Sequence, residues 1–550
     1  MTKKNWLTLL IIIFVLSLIP LYLVGLYDQP SADDYFYATE TAKVWSETHS
    51  LTAVLGRALT LTGETYVARQ GNFTALFLMF MTPALFSESF YAVTPLILIT
   101  SFVASMLFFF ITVLRYWLGA GQRQSLAVAL CVTFTALQLT LVPSDSFYWY
   151  NGAIYYTFFF ALMLVLFALV TLLLKHPSHS IRVLSLVLSC LLCAVIGGGN
   201  FATSLFTVLI LAVLIVFYSV FHSERYEAKL HGANALVSLP SLTEIRRRRL
   251  GLILILILGL ITFFITVFAP GNAVRQAGVG EHSGLLKTFA FSFAYGAYAI
   301  AQSTSVPVLV LWILLIPLFY RMAKDSSYQF RYPGLVLLFT YGLFCAQGTP
   351  VFYAQGLRIP YRMMNIIGFA YYPFMAFNLI YLMGWIARRT EDKPGILLSK
   401  IAHCYDRALP RNILLVSGIA LYAVGCLGRI GVTESETTTG QAVFSGMPAS
   451  VSAVYSLVSG DAAEYEGQIL TRDALLREAA AAAAEDPSVG LVCESDNGIA
   501  EWDIEVTVPA LTVTPDPIFH SDITEDPTHW KNTHLEMFYG IRSIRTGEAD

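Results

Sequence analysis

Charge is scarce in this chain. Asp, Glu, Lys and Arg make up 13% of its 550 residues, against 56% hydrophobic residues and a mean hydropathy of +0.63. That balance excludes a water-soluble globular fold, which cannot bury so large an apolar share. The net charge of −3 is too small to argue for nucleic acid as a partner. Cysteine is sparse as well. Six of the seven (Cys131, Cys190, Cys193, Cys345, Cys404 and Cys426) lie in or beside apolar runs and Cys493 stands alone, so no disulfide framework is implied. Cys190 and Cys193 have CxxC spacing, but LVLSCLLCAVIG surrounds them with the neighbours of small core residues. No internal repeat is visible, and ionisable residues are missing from the middles of the apolar runs. Both absences count against a transporter or flippase for lipid-linked saccharides.

What is present is a series of long apolar runs, several of about 20 residues, the length an α-helix needs to cross the hydrocarbon of a bilayer. Spans are expected near 5–27, 89–116, 124–143, 153–174, 182–197, 201–221, 250–269, 305–320, 333–348, 361–387 and 411–429. The fold class is therefore an all-α polytopic membrane protein of about eleven transmembrane helices. Phe73 to Phe86 and Leu285 to Ser303 are shorter or interrupted and read as interfacial or re-entrant helices. The first run follows Lys3 and Lys4, and its length and missing small-residue cleavage site suit a retained anchor.

Lys and Arg orient the series. With the N-terminus cytoplasmic, every inner loop is basic: Arg115 and Arg123, Lys175 and Arg182, Arg225 to Arg249, Arg321 to Arg331, and Arg388 to Arg411. The RRRR run at 246–249 then serves as a topogenic anchor with secondary contact to anionic membrane lipids. Residues 1–429 form the membrane domain. Residues 430–550 are polar and read as a small exterior α/β region, with a helix in TRDALLREAAAAAAEDP and strands in VGLVCES and WDIEVTVPALTV.

The same orientation puts the unusual polar segments outside: SADDYFYA, ARQGNF, PSDSFYWYNGA, IGGGNF, APGNAVRQ and GTPVFYAQGLRIPYR. Asp33 and Asp34 follow the first span, where adjacent carboxylates must be solvated, paired or used. Ser31 or Asp33 also suits the N-cap of a following helix. Arg358 and Arg362 flank Pro360 at the mouth of a span, a placement that fits either phosphate recognition or contact with lipid headgroups, and Arg275 is open to both readings. Trp149 and Tyr150 belong to an aromatic loop that fits an interfacial belt or a platform for a sugar ring. Asn151 and Asp145 beside them offer hydrogen bonds to hydroxyl groups. Asn200 follows three glycines that suit a tight hairpin or a backbone closely approached by a lipid donor. Asn272 and Arg275 sit in a turn opened by Pro270 and Gly271. His282 reads as a solvated loop histidine with a lesser claim to acid or base work.

An acidic pair directly after the first transmembrane helix resembles the signature of the GT-C superfamily of polytopic glycosyltransferases. PGNAVR at 270–275, FYWYNGA, and HWKNTHLEMFYGIRSI near the end of the chain resemble a bacterial family of GT-C-like membrane proteins. Members related to O-antigen glucosyl-transferring proteins carry an aromatic-Asn-Gly-Arg motif before the second hydrophobic block. Here ARQGNF stands instead, without that Arg, and Arg69 takes its place as the candidate, next to Asn72.

The resemblance implies an inverting transfer from a polyprenyl-phosphate-linked sugar to an envelope glycan or lipid acceptor, at the plasma or inner membrane. Asp33 or Asp34 would be the general base. Arg358, Arg362 and Arg275 would meet the departing phosphate. Arg69, Asn72, Asp145, Trp149, Tyr150, Asn151, Asn200 and Asn272 would hold sugar and acceptor. A divalent cation, Mg or Mn, is left open. The alternatives are the transporter or flippase, disfavoured above; a ligase or polymerase, which would need a large middle exterior loop; and a non-catalytic envelope scaffold.

Overall fold

The computed structural model describes residues 2–230, 242–279, 282–356, 359–390, 405–427, 432–437, 440–486, 491–492 and 501–547. Ten helices among the described residues are long and apolar enough to cross a membrane: Lys3–Tyr27, Ser89–Leu118, Tyr150–Lys175, His179–Gly197, Phe201–Ser219, Thr243–Val267, Val306–Asp325, Pro333–Gln355, Tyr361–Arg389 and Ala408–Leu427. The chain is an all-α polytopic membrane protein with a small mixed appendage.

The eleventh expected span, 124–143, is shorter than the apolar run suggests. Its helix, Gln122–Gln138, has 17 residues, about 26 Å at 1.5 Å per residue. It is buried along most of its length, including Ser125, Thr133, Thr135 and Gln138. Its neighbours, not lipid, set how far it must reach, so it need not match the hydrocarbon thickness. Phe73–Leu85 and Leu285–Ser303 are likewise outside the ten.

The connections sort into two ends. At one end the basic loops meet one another: Lys3 and Arg321 share Asp406 at 3.1 and 2.6 Å, Arg182 pairs with Glu244 at 2.9 Å, and the Lys175 ammonium sits 4.3 Å from the Trp117 ring. Arg388 donates to the carbonyls of Tyr328 and Lys324, each at 3.0 Å. At the opposite end the polar segments converge, together with the C-terminal region.

That region contains the helices Ala449–Ser459, Asp461–Glu485 and Trp530–Tyr539. Strand Glu501–Pro509 pairs antiparallel with Leu491–Val492 and parallel with Ile541–Gly547. The parallel pairing needs a crossover, and the Trp530–Tyr539 helix lies within it. The small core here combines Leu476, Val508, Leu535, Ile541 and Ile544 with Tyr35 from the first loop. The Ala449–Ser459 helix packs along the first span, with Ser450 Oγ donating to Ser17 O at 2.6 Å and Ser450 N to Gln138 Oε1 at 3.0 Å. Its other face exposes Val451, Val454, Tyr455 and Val458. A further tie joins Arg477 to Glu88 at 2.5 Å.

Candidate active site

A single tight turn separates the two front carboxylates. Asp34 N donates to Ser31 O at 3.1 Å, and Ala32 at the first corner has φ 53°, ψ −115°. These are the angles of a type II′ turn, whose first corner favours glycine. An alanine held there costs on the order of 1–3 kcal/mol. The helix Asp33–Thr48 starts straight from this turn, so Ala32 occupies the N-cap position expected of Ser31 or Asp33. Ser31 Oγ is engaged elsewhere, with the backbone of Ser521 at 3.0 Å.

Neighbouring helical residues point about 100° apart, so the turn sends the two side chains to different surroundings. Asp34 is fully buried. Its Oδ2 accepts from Tyr91 OH at 2.7 Å and Ser31 N at 3.1 Å, and its Oδ1 from Asn151 Nδ2 at 2.8 Å and Asn151 N at 3.2 Å. Tyr91 OH in turn accepts from Tyr150 N at 2.8 Å. Burial pushes the Asp34 carboxyl up to about 7 against these bonds. Asp28, close by, is also fully buried, and among the described residues no side chain bonds its carboxylate, which only the Gln29 backbone N–H approaches. Burial, then the nearby Asp34 charge, holds its proton affinity well above the carboxylate range.

Asp33 keeps 29% of its side chain exposed, and the His534 Nδ1 stands 3.6 Å from its Oδ1. Its charge acts on Tyr37, as do those of Arg69 and Arg275. Burial is the main reason the Tyr37 phenol rises to about 12. The Asp33 charge also acts on Arg362, together with Tyr156 and Asp145. The Arg362 guanidinium lies 4.9 Å from the Trp149 ring centre and 5.8 Å from that of Tyr156. Asp145 is buried, which raises its carboxyl to about 6, opposed by the Arg362 charge and by the Arg362 backbone N–H. The first-loop carboxylate and the late arginine, which sequence could only place on the same side, therefore lie near enough for the charge of one to act on the other. Arg358 lies outside the described residues.

The remaining candidates divide by what already occupies them. Trp149 stacks on Phe519 at 4.4 Å and 5° and, with Arg362 also against it, serves as a platform for the arginine. Tyr150 OH donates to Leu78 O at 3.0 Å. Asn151 is committed to Asp34. Asn200 donates to Tyr155 O and accepts from Thr203 N, both at 2.8 Å, capping the helix that follows. Asn272 donates to Thr266 O at 2.7 Å and accepts from Gly71 N at 2.9 Å. Asn72 donates to Gly199 O. These six amides and rings hold backbone and side chains in place around the site. Arg275 bonds Gln70 Oε1, and Arg69, exposed, lies 5.6 Å from the Phe36 ring centre. His282 stacks on Tyr353 at 4.7 Å.

The triple glycine is explained by protein contacts. A Cβ at Gly197 would strike Thr262, at Gly198 Thr74 and Phe73, and at Gly199 Phe159. Thr74 N reaches Gly198 O at 3.0 Å. It is the start of the Phe73–Phe80 helix that approaches this backbone.

Sequence reasoning missed Tyr91, Tyr37, Asp28, Tyr156 and His534. Tyr91 and Tyr156 sit in aromatic-rich stretches that do not distinguish them, and only long-range packing selects His534. For a divalent ion the donor set is thin. No group of three or more His, Cys, Asp or Glu converges among the described residues, and Asp34 is turned away from Asp33, so the acidic pair is not a chelate. No family model, curated protein or solved structure matches this chain.

Proposed function

We propose that this chain is a membrane glycosyltransferase of the GT-C kind, moving a sugar from a polyprenyl-phosphate-linked donor to an envelope glycan or lipid acceptor with inversion. The observation that carries the reading is that the part-exposed Asp33 lies within reach of the charge of Arg362, which is held against Trp149 and Tyr156. Asp33 is the general base. It retains solvent contact and, among the described residues, carries no hydrogen bond that would have to be broken before it takes a proton, whereas both oxygens of Asp34 are committed, Oδ2 to Ser31 and Tyr91 and Oδ1 to Asn151. The acceptor hydroxyl gives its proton to Asp33 as its oxygen attacks the anomeric carbon, and the bond to phosphate breaks with its electron pair leaving on the phosphate. Arg362 meets that growing charge, held flat by Trp149 and Tyr156, and Arg69 and Arg275 add positive potential nearby. The basic end would face the cytoplasm of the bacterial cell and the site end the outside, following the Lys and Arg bias.

The test is transfer of labelled sugar from polyprenyl-phosphate glucose in vesicles that also hold an envelope glycan fraction. Asp33→Asn is expected to lower turnover by about 10²–10⁴-fold. Wild-type turnover in that variant would refute the assignment.

A further inference from the structure

The segment HWKNTHLEMFYGIRSI supplies the Trp530–Tyr539 helix and the strand after it, and the transfer chemistry above makes no use of it. Yet this helix brings an imidazole to the first loop. His534 Nδ1 lies 3.6 Å from Asp33 Oδ1 and is buried with no hydrogen-bond partner among the described residues, while the ring also bonds the Ala32 backbone. The ring is clamped by Phe36 at 5.0 Å and 35° and by Trp530 at 5.3 Å and 69°. Packing alone does not account for a histidine here. A buried polar atom left unpaired costs about 1–3 kcal/mol, which a wholly apolar ring would avoid.

The groups that act on the imidazole are Asp33 and the Ala32 backbone from the first loop and Arg69 from the end of the Leu51–Ala68 helix. Burial, assisted by Arg69, holds its proton affinity below the ordinary imidazole value, with Asp33 pulling the other way. The ring is therefore neutral near pH 7 and free to accept a proton.

We infer that His534 is the positioning residue and proton partner of Asp33, taking over the proton that Asp33 removes from the acceptor hydroxyl. This rests on the transferase reading. After transfer, the proton on the Asp33 oxygen passes to Nδ1 of His534, which restores the carboxylate and leaves an imidazolium. With 12% of its side chain exposed, the imidazolium then loses the proton to water. The C-terminal region thus completes the base that the first loop begins.

The test uses the full-length chain in lipid vesicles with polyprenyl-phosphate glucose and the envelope glycan fraction. His534→Asn keeps an amide near the Nδ1 position but cannot take a proton. It is expected to lower kcat about tenfold or more at unchanged KM, with the imidazole's part of the acidic limb of the kcat–pH profile lost, only that of Asp33 remaining, and the melting temperature close to wild type. A second measurement needs no turnover: nuclear magnetic resonance of the nitrogen-labelled His534 ring should show it titrating at lower pH in Asp33→Asn, because the carboxylate favouring the imidazolium is gone. Wild-type kcat and pH profile in His534→Asn, or a ring titration that ignores Asp33→Asn, overturns the inference. An inactive Asp33→Asn beside a fully active His534→Asn sinks this inference alone. A fully active Asp33→Asn sinks the transferase reading and the inference with it.

Discussion

Changing each front carboxylate to its amide should separate folding from chemistry. In Asp34→Asn the new NH2 must face donors whichever way the amide turns. On the Oδ1 side it meets Asn151 N and Nδ2. The Asn151 amide can flip, since its own oxygen is without a partner, and only the Asn151 backbone N–H is stranded. On the Oδ2 side it meets Tyr91 OH and Ser31 N. The tyrosine proton can swing to Tyr148 O at 3.4 Å, which strands only Ser31 N–H. Either way one buried N–H loses its acceptor, a loss of about 1–3 kcal/mol. The lower part of that range is expected, because the amide also removes a charge that burial opposes. Asp33→Asn disturbs a part-exposed side chain with no hydrogen bond to lose, and stability should move by no more than about 0.5 kcal/mol. The assay pairs thermal unfolding of the whole chain in detergent with sugar transfer below the melting transition. Asp34→Asn should melt lower yet transfer within about tenfold of wild type, while Asp33→Asn should melt normally and lose about 10²–10⁴-fold. The reverse pattern, a stable but inert Asp34→Asn beside an active Asp33→Asn, would refute the division of roles.

The raised carboxyls carry a pH signature: Asp34 at about 7 and Asp145 at about 6 hold protons in the folded state that the unfolded chain, at 3.8, has released. Their contribution is therefore greatest below about pH 4, declines as pH climbs to about 7 and is flat above. Melting at pH 5 and 8, compared between wild type and Asp34→Asn, should show a shallower decline in the variant, and an unchanged slope would contradict the burial argument. Gly198→Ala drives a methyl into Thr74 and Phe73 and should destabilise by about 1–3 kcal/mol in the same melt. Arg362→Lys keeps the charge but loses the planar contact with Trp149 and Tyr156, so KM for the polyprenyl-phosphate donor should rise by about tenfold with the fold intact. Asn365 bridges both backbone groups of Val142, at 3.0 and 2.8 Å. Asn365→Ala should destabilise by about 2–4 kcal/mol through the stranded pair, again read by thermal unfolding.

The membrane fold was largely legible because apolar length and the placement of Lys and Arg are local properties of the chain. The basic loops that meet at Asp406 and Glu244 could be grouped before any contact was known. The Gln122–Gln138 helix escaped because its apolar run says nothing about whether lipid or protein will surround it. In the candidate site, residue types singled out the loops but not their partners. Asp33 and Asp34 look equivalent in sequence, and a turn with alanine at a glycine-favouring corner divides them. Asn72, Asn151, Asn200 and Asn272 read as hands for a sugar, yet each is taken up by the protein itself. His534 and Tyr91 become relevant only through contacts with residues far away along the chain.

Tyr35 of the first loop completes its packing among Leu535, Ile541 and Ile544, with Phe538 at 5.2 Å and Tyr539 at 6.4 Å. During synthesis the first loop therefore leaves the ribosome hundreds of residues before the strand it rests on. Insertion of the spans can run ahead, but the packing around Tyr35 closes only after Leu535, Ile541 and Ile544 have followed, so a chain interrupted before them would be lodged in lipid with its first loop unsupported. The loop that emerges first is thus among the last to settle.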